Sequence, residues 1–156
     1  MTDVYVSGQM RFSLKDVKDR SYFRAKMISI LGKMWGETWD KNTSKPDIYN
    51  KESLLPYGSN GSLRYDIIEN KNHKSNDSFI LLIYGNLKNS IFDIEQIKDW
   101  IIKVATTLLK YKGGCILLSC EFSVDQVAGS RMIIYPVYNG EKQEMDFKFL
   151  VNNSIL

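Results

Sequence analysis

The hydrophobic positions of the chain recur with two different periods, which predict a protein of mixed strands and helices. Short segments in which apolar and polar residues alternate, or in which apolar residues run together, are typical of β-strands. Polar clusters rich in Gly, Asn, Asp and Ser separate these segments, as turns do. The predicted strands cover residues 4–12, 63–69, 79–85, 115–122, 131–138 and 144–151.

Two longer segments carry apolar residues at helical spacing. The first predicted helix lies between Leu14 and Trp35. Ser13 and Asp16 offer a capping box for its start, and a start at 19–21 is the alternative. We expect its apolar stripe to pack in the core. The stripe consists of Phe23, Met27, Ile30, Leu31 and Met34.

The second predicted helix is the clearest element of the sequence. Asp93 is its expected N-cap, and Gln96 completes a capping box. The helix is predicted to end at residue 111 or 112, because Gly113-Gly114 follows. Its buried face is predicted to consist of Ile94, Ile97, Ile101, Val104, Ala105 and Leu108.

The order of these elements predicts an α+β fold in a single domain spanning residues 1–156. We expect one twisted, mainly antiparallel sheet of about six strands, with two helices packed on one face. Asn139-Gly140 predicts a hairpin between the last two strands. Pro136 favours an edge position or a bulge for its strand. The wholly apolar segment 79–85 predicts a strand covered on both faces.

Residues 36–61 form the longest stretch without a clear period. The stretch is rich in Gly, Asn, Ser and Pro, which favour turns. A structureless loop of about 25 residues would be unusual inside a compact domain. We therefore expect either a short element near 48–55 or a loop with a function.

Composition and charge narrow the class of protein. The chain has 21 Lys and Arg against 18 Asp and Glu, a net charge of +3, without a block of like charges. This balance predicts no nucleic-acid partner. The longest apolar run, 79–84, is far shorter than a membrane helix, and the N-terminus lacks a secretory signal pattern. We expect a cytoplasmic protein without a membrane partner.

The two cysteines predict no disulfide. Cys115 and Cys120 are five residues apart in one predicted strand, an odd separation that places side chains on opposite faces. A bridge between them would be strained. We expect two reduced, partly buried thiols.

The residues that usually carry chemistry are sparse. The one histidine, His73, lies in a polar loop, and its replacement by alanine is expected to leave function intact. His and Cys are too few for a zinc site, and the glycine pairs lack the spacing and the following helix of a phosphate loop. The sequence therefore predicts no catalytic residue, no metal and no cofactor, and a protein that is not an enzyme.

One aromatic and acidic stretch stands out as a candidate surface. Two tryptophans, four residues apart, alternate with acids where the first helix meets the long loop. Packing at the edge of the core is the alternative role for them, but tryptophan and tyrosine are also enriched at binding hot spots. The predicted partner-binding residues are Trp35, Glu37, Trp39, Asp40, Asp47, Tyr49, Glu52 and Tyr57, within a stretch that reaches Tyr65.

The size, the Lys-, Asn- and Ile-rich composition and the element order over all 156 residues together resemble a known group. They are similar to the small cytoplasmic immunity proteins of bacterial toxin systems, such as contact-dependent growth inhibition. The resemblance implies a non-catalytic protein that neutralises one cognate toxin domain by tight stoichiometric binding. The chain departs from the usually acidic immunity proteins of nuclease toxins, since its net charge is +3. The alternatives are a small-molecule-binding domain or small enzyme with a pocket between sheet and helices, and a structural or adaptor subunit.

Overall fold

The computed structural model describes residues 2–15, 20–35, 39–40, 45–46, 56, 63–70, 78–90, 92–111, 114–127 and 129–153. These residues form eight strands and two helices. In chain order the elements are β1 (Thr2–Leu14), α1 (Arg20–Trp35), β2 (Trp39–Asp40), β3 (Lys45–Pro46), β4 (Arg64–Asn70), β5 (Ser78–Ser90), α2 (Ile94–Leu109), β6 (Cys115–Gln126), β7 (Ser130–Asn139) and β8 (Glu144–Asn153).

Six of the strands form one sheet, in the order β4-β5-β1-β6-β7-β8. Every neighbouring pair is antiparallel. The strands β1 and β4 flank β5, and the strands β5 and β6 flank β1, so the first part of the chain forms two interlocked split β-α-β units, the ferredoxin-like topology. The hairpin of β7 and β8 extends this sheet beyond β6. The predicted α+β fold with a six-stranded antiparallel sheet is confirmed.

Both helices lie on the same face of the sheet. Along β1, Val4, Val6, Met10 and Phe12 are buried on that face. The ring of Phe23 in α1 lies 6.3 Å from the ring of Phe12, measured between centroids. The ring centroids of Phe79 in β5 and of Tyr111, just after α2, each lie 5.0 Å from that of Phe23. Phe23 therefore packs against both the sheet and the end of α2. The core is a single layer between the sheet and the helices.

The second helix matches its prediction closely. The Asp93 carboxylate accepts a hydrogen bond from the Gln96 backbone N–H at 2.8 Å, and the Gln96 side chain accepts one from the Asp93 N–H at 3.0 Å. All six residues predicted for the buried face are buried, together with Lys98 and Trp100. The helix ends at Leu109 with Lys110 as C-cap, so its predicted end at residue 111 or 112 was two or three residues too late.

The first helix begins at Arg20, which confirms the later of the two predicted starts. The alternative capping box at Ser13 was wrong, because β1 continues through Leu14 and Ser13 is paired within the sheet. Phe23 and Met27 are buried, as the stripe predicted. The side chains of Ile30, Leu31 and Met34 lie outside the part of the helix whose side chains are described.

Two expectations about individual strands need correction. The strand β5 is interior, but it is not covered on both faces: Leu81 and Ile83 are buried, whereas Tyr84 is exposed. The strand β7 is not an edge strand, because it pairs with β6 and β8. Its pairing with β6 stops at Ile134, however, so Pro136 lies beyond that ladder, where β7 has a neighbour on the β8 side alone among the described strands.

The cysteine side chains lie on one face of β6 rather than on opposite faces. Between Cys115 and Cys120 the pairing with β1 shifts by one residue, since Phe12 lies opposite Leu117 while Arg11 lies opposite Ser119. This bulge inserts one extra residue, Leu118, between the two cysteines. The side chains of Cys115 and Cys120 therefore lie on the same face, although an odd separation in a regular strand would place them on opposite faces. Both thiols are free, and both face the helices.

Candidate binding surface

The sheet has one face that the described helices leave uncovered, which we call the open face. On β1 the residues of this face alternate with the core residues, so that Tyr5, Ser7 and Gln9 are exposed where Val4, Val6 and Met10 are buried. The same alternation continues across the neighbouring strands through the register of their pairing. The open face carries Tyr5, Ser7, Gln9, Arg11, Arg64, Asp66, Ile68, Ile80, Leu82, Tyr84, Glu121, Ser123, Asp125, Arg131, Ile133, Tyr135, Lys148 and Leu150.

Two exposed tyrosines lie next to each other on this face. Tyr5 on β1 is 41% exposed and Tyr84 on β5 is 38% exposed. Tyr84 lies opposite Ser7, and Tyr5 lies opposite Asn86. The two tyrosines are therefore diagonal neighbours on adjacent strands, a relation in which Cα atoms are roughly 7–8 Å apart and long side chains can touch.

Charged residues flank both tyrosines. Arg64 lies opposite Tyr84 in the pairing of β4 with β5, and Asp125 lies opposite Tyr5 in the pairing of β1 with β6. The Tyr84 hydroxyl donates a hydrogen bond to the Asp66 carboxylate at 2.8 Å. We call the set Tyr5, Arg64, Asp66, Tyr84 and Asp125 the tyrosine patch.

The hydrogen bond to Asp66 fixes the Tyr84 ring and alters its acidity. Ionisation of Tyr84 would break this bond and place a second negative charge beside the carboxylate, so the bond raises the pKa of the Tyr84 phenol above its usual range. The phenol therefore stays neutral and acts as a donor throughout the physiological pH range.

A second polar cluster borders the patch on β6 and β7. The Arg131 guanidinium donates to the Ser123 hydroxyl at 3.2 Å and lies 3.3 Å from the Asp125 carboxylate. The side chains of Arg131 and Asp125 are 55% and 45% exposed, so this ion pair contributes little to stability. The pair lies on the open face, where Asp125 is opposite Tyr5.

The open face carries side chains of both charges among its described residues, and exposed apolar side chains lie between them. The basic residues include Arg11, Arg64, Arg131 and Lys148; the acidic ones include Asp66, Glu121, Asp125, Glu144 and Asp146. Such a mixture of aromatic, aliphatic and paired charged groups resembles a protein interface more than a site for a highly charged ligand.

The described residues show little reactive chemistry. Burial raises the pKa of the Cys115 thiol to about 11 and that of the Cys120 thiol to about 12, so both stay protonated and weakly nucleophilic at neutral pH. The Cys115 thiol donates to the Leu108 carbonyl at 3.2 Å. Within the described parts of the chain, no three His, Cys, Asp or Glu side chains come together as metal ligands would.

The partner-binding residues predicted from the sequence fall mainly outside the described part of the chain. Trp35 is the last residue of α1. Trp39 and Asp40 form β2, in which Trp39 pairs with Pro46 and Asp40 with Lys45 of β3. The side chains of these three predicted residues are not described, and the remaining predicted residues, like His73, lie outside the described residues. They are Glu37, Asp47, Tyr49, Glu52 and Tyr57.

Tyr65, at the end of the predicted stretch, lies on the core side. It pairs with Ile83 in the ladder of β4 and β5, and it packs half-buried against the hydrophobic core. Its neighbour Asp66 points to the open face instead. The element near 48–55 that the sequence predicted also lies outside the described residues.

Sequence reasoning missed the open face, although the chain carries a signal for it. The alternation of Val4, Val6 and Met10 with Tyr5 and Gln9 predicts a strand with one solvent-facing side. What the alternation cannot supply is the strand order, which brings Tyr84 beside Tyr5 from almost 80 residues away. The neighbouring tyrosines become visible only once the sheet is assembled.

Comparison with known proteins gives one distant structural likeness. No protein-family model matches the chain, and no curated protein sequence matches it. A crystal structure of an aldoxime dehydratase in complex with butyraldoxime aligns with a TM-score of 0.39 at 12% identity. The alignment covers 85% of this chain and 30% of that enzyme, so the chain spans less than a third of its length. A likeness this distant carries no conclusion about function.

The described helices also bear on membrane insertion. Neither α1 nor α2 combines the length and the apolar character that a helix crossing a membrane requires.

Proposed function

We propose that this chain is a non-catalytic binding protein, and that it neutralises a cognate bacterial toxin by tight stoichiometric association through the open face of its sheet. The class of partner follows from the resemblance of the sequence to immunity proteins. The surface is chosen on one observation, the tyrosine patch, in which two exposed tyrosines lie side by side among charged groups.

The composition of the patch suits protein recognition. Tyrosine provides a large apolar contact area with few rotatable bonds, and it is enriched among residues that dominate binding energy. The hydrogen bond from Tyr84 to Asp66 holds one ring in place before binding, which lowers the entropy cost of association. Arg64 and Asp125 at the margin can select a partner by charge without requiring an acidic protein overall.

The alternative of a ligand pocket between sheet and helices has less support. The described part of that layer is filled by side chains in mutual contact, among them Phe12, Phe23 and Phe79. Met10, Met27 and Leu81 in the same layer have no exposed area. We therefore place the function on the open face rather than between the layers.

The test begins with capture of the partner in the native host. The tagged chain is used as bait beside a Tyr5→Ala/Tyr84→Ala variant, and every protein that the wild-type chain retains is identified, whether or not the variant retains it. Each candidate is then expressed alone and together with the chain in a susceptible strain. The proposal expects one candidate that arrests growth alone and loses this effect when the chain is present.

Tyr22→Ala is the matched control. Tyr22 is 76% exposed on α1, on the opposite side of the molecule from the patch, so its loss should change neither capture nor growth. Melting curves of the three proteins verify that the variants are folded. A toxin that both tyrosine variants bind equally well would refute the open face as its site. A captured protein that is harmless to cells would refute the immunity function.

A further inference from the structure

The strand β8 forms an unusually regular edge of the sheet. All ten of its residues pair with β7, from Glu144 opposite Asn139 to Asn153 opposite Ser130, without a bulge. Among the described residues no strand pairs with its other side. Such an edge presents a row of backbone N–H and C=O groups that can accept another strand.

Two of the devices that usually protect an edge, shortness and interruption, are missing from β8. Natural edges are short, interrupted by proline or bulges, or studded with charge. The strand β8 has ten residues without proline or a bulge, and its charged residues, Glu144, Asp146 and Lys148, all lie in its first half. The opposite edge, β4, has only seven residues. The second half of β8 exposes three consecutive apolar residues: Phe149 is 44%, Leu150 60% and Val151 49% exposed.

We propose that β8 pairs antiparallel with β8 of a second copy of this chain, centred on Phe147, to form a twofold dimer with a continuous sheet. Dimerisation goes beyond the proposed toxin binding. It uses the free edge of β8, which β6 and β7 separate from β1 and the tyrosine patch.

The two sides of β8 are self-complementary in this register. Phe149 lies on the helix side of the sheet, where the Lys98 ammonium of α2 lies 4.0 Å from its ring centroid. Met145 and Phe147 share that side, because side chains alternate along a strand. In the Phe147-centred pairing, Phe147 meets its own equivalent and Met145 meets Phe149 of the second copy, so apolar groups cover one another.

Charge selects this register over its neighbours. Centring on Phe147 places Asp146 opposite Lys148 of the second copy, and twofold symmetry forms the same pair twice. Centring on Lys148 would oppose two lysines, and centring on Asp146 would oppose two carboxylates, which destabilises a sheet. Centring on Phe149 would leave Lys148 opposite Leu150. Centring on Asp146 also pairs Glu144 with Lys148 twice, but at the cost of opposing the two Asp146 carboxylates. Of these four registers, only the Phe147-centred pairing brings opposite charges together on both sides of the axis without opposing like charges.

Charge reversal tests the proposal. Sedimentation of the wild-type chain at concentrations from about 1 μM to about 500 μM should show conversion from monomer to a species of twice its mass. Lys148→Glu turns both cross-strand pairs repulsive, so we expect the dissociation constant to rise at least about tenfold. The double variant Asp146→Lys/Lys148→Glu restores opposite charges and should restore dimerisation.

Lys26→Glu is the matched control, because it makes the same change in net charge at an exposed position on α1. It should dimerise like the wild type. Circular dichroism establishes that each variant is folded, which matters for the double variant because Asp146 accepts a hydrogen bond from Asn139 at 2.9 Å. A wild type that stays monomeric over the whole range, a Lys148→Glu dimer of unchanged affinity, or a folded double variant that fails to dimerise would each overturn the proposal. None of these results depends on toxin binding.

Discussion

Gly8 allows the most direct test of the sheet register on which the open face depends. It lies on the helix side of β1, between Ile83 of β5 and Phe122 of β6, and both neighbours are fully buried. A Cβ added to Gly8 would overlap the Phe122 ring and the Glu121 carbonyl oxygen, and would stand 2.5 Å from Cγ of Phe122. The Phe122 ring thus packs directly over Gly8 and occupies the space that a side chain at this position would need.

The cost of Gly8→Ala follows from this overlap. Non-bonded carbon atoms normally rest about 3.5–4.0 Å apart, so the Phe122 ring must move by about 1 Å or more in a core that has no space for it. The ring could rotate away, but the carbonyl oxygen belongs to the backbone of the paired strand and cannot move without distorting the ladder. We expect a loss of about 3 kcal/mol in the free energy of unfolding, the upper part of the range for overpacked cores. For a domain of this size, that loss lowers the melting temperature by roughly 6–12 °C.

The assay is urea denaturation followed by circular dichroism, with Gly140→Ala as control. A Cβ at Gly140 meets nothing within 4 Å, in the turn between β7 and β8, so this variant should stay within about 0.5 kcal/mol of the wild type. Equal stability of Gly8→Ala and the wild type would mean that Phe122 does not cover Gly8. The register of β1 and β6, and with it the position of Tyr5 on the open face, would then be wrong.

Three further predictions concern the core, a phenol and the thiols. Val104→Asp would bury a charge where α2 meets the sheet; it should cost several kcal/mol and yield insoluble or unfolded protein, whereas soluble, folded protein would refute the assigned face. Because the hydrogen bond raises the pKa of Tyr84, the stability it contributes is fully present below the pKa of an unfolded tyrosine, about 10, and is lost as pH rises through the folded value. Absorbance titration should therefore place the midpoint of Tyr84 above the usual tyrosine value, and Asp66→Asn should lower this midpoint; an unchanged midpoint contradicts the contact. Cys115 and Cys120 should react with a disulfide reagent at pH 8 far more slowly in the folded chain than in denaturant, and equal rates would contradict their burial.

The elements that could be predicted from the sequence are those whose signals are local. The helix α2 was predicted because its capping box and apolar face lie within one short segment. The burial of Lys98 was not predicted, since it depends on Phe149 of a distant strand. The positions of the two cysteines were mispredicted for the same reason: the bulge at Leu118 is visible only in the pairing with β1.

The candidate binding surface also depends on contacts between parts of the chain that are far apart in sequence. Aromatic residues close in sequence, such as Trp35 and Trp39, attract notice in a linear reading. Tyr5 and Tyr84 do not, because sheet assembly rather than sequence distance makes them neighbours. The binding surface from Trp35 to Tyr65 stays a prediction. It and the open face can be told apart, because each predicts that a different substitution weakens binding.

That measurement is titration calorimetry of the captured toxin with four forms of the chain: wild type, Tyr5→Ala, Trp39→Ala and Tyr22→Ala, each verified by its melting curve. If the open face binds the partner, Tyr5→Ala should weaken the affinity about thirtyfold, the loss of about 2 kcal/mol expected for a hot-spot residue, while Tyr22→Ala binds as the wild type does. A thirtyfold loss in Trp39→Ala together with unchanged affinity in Tyr5→Ala would contradict the account and place the binding surface in the stretch from Trp35 to Tyr65.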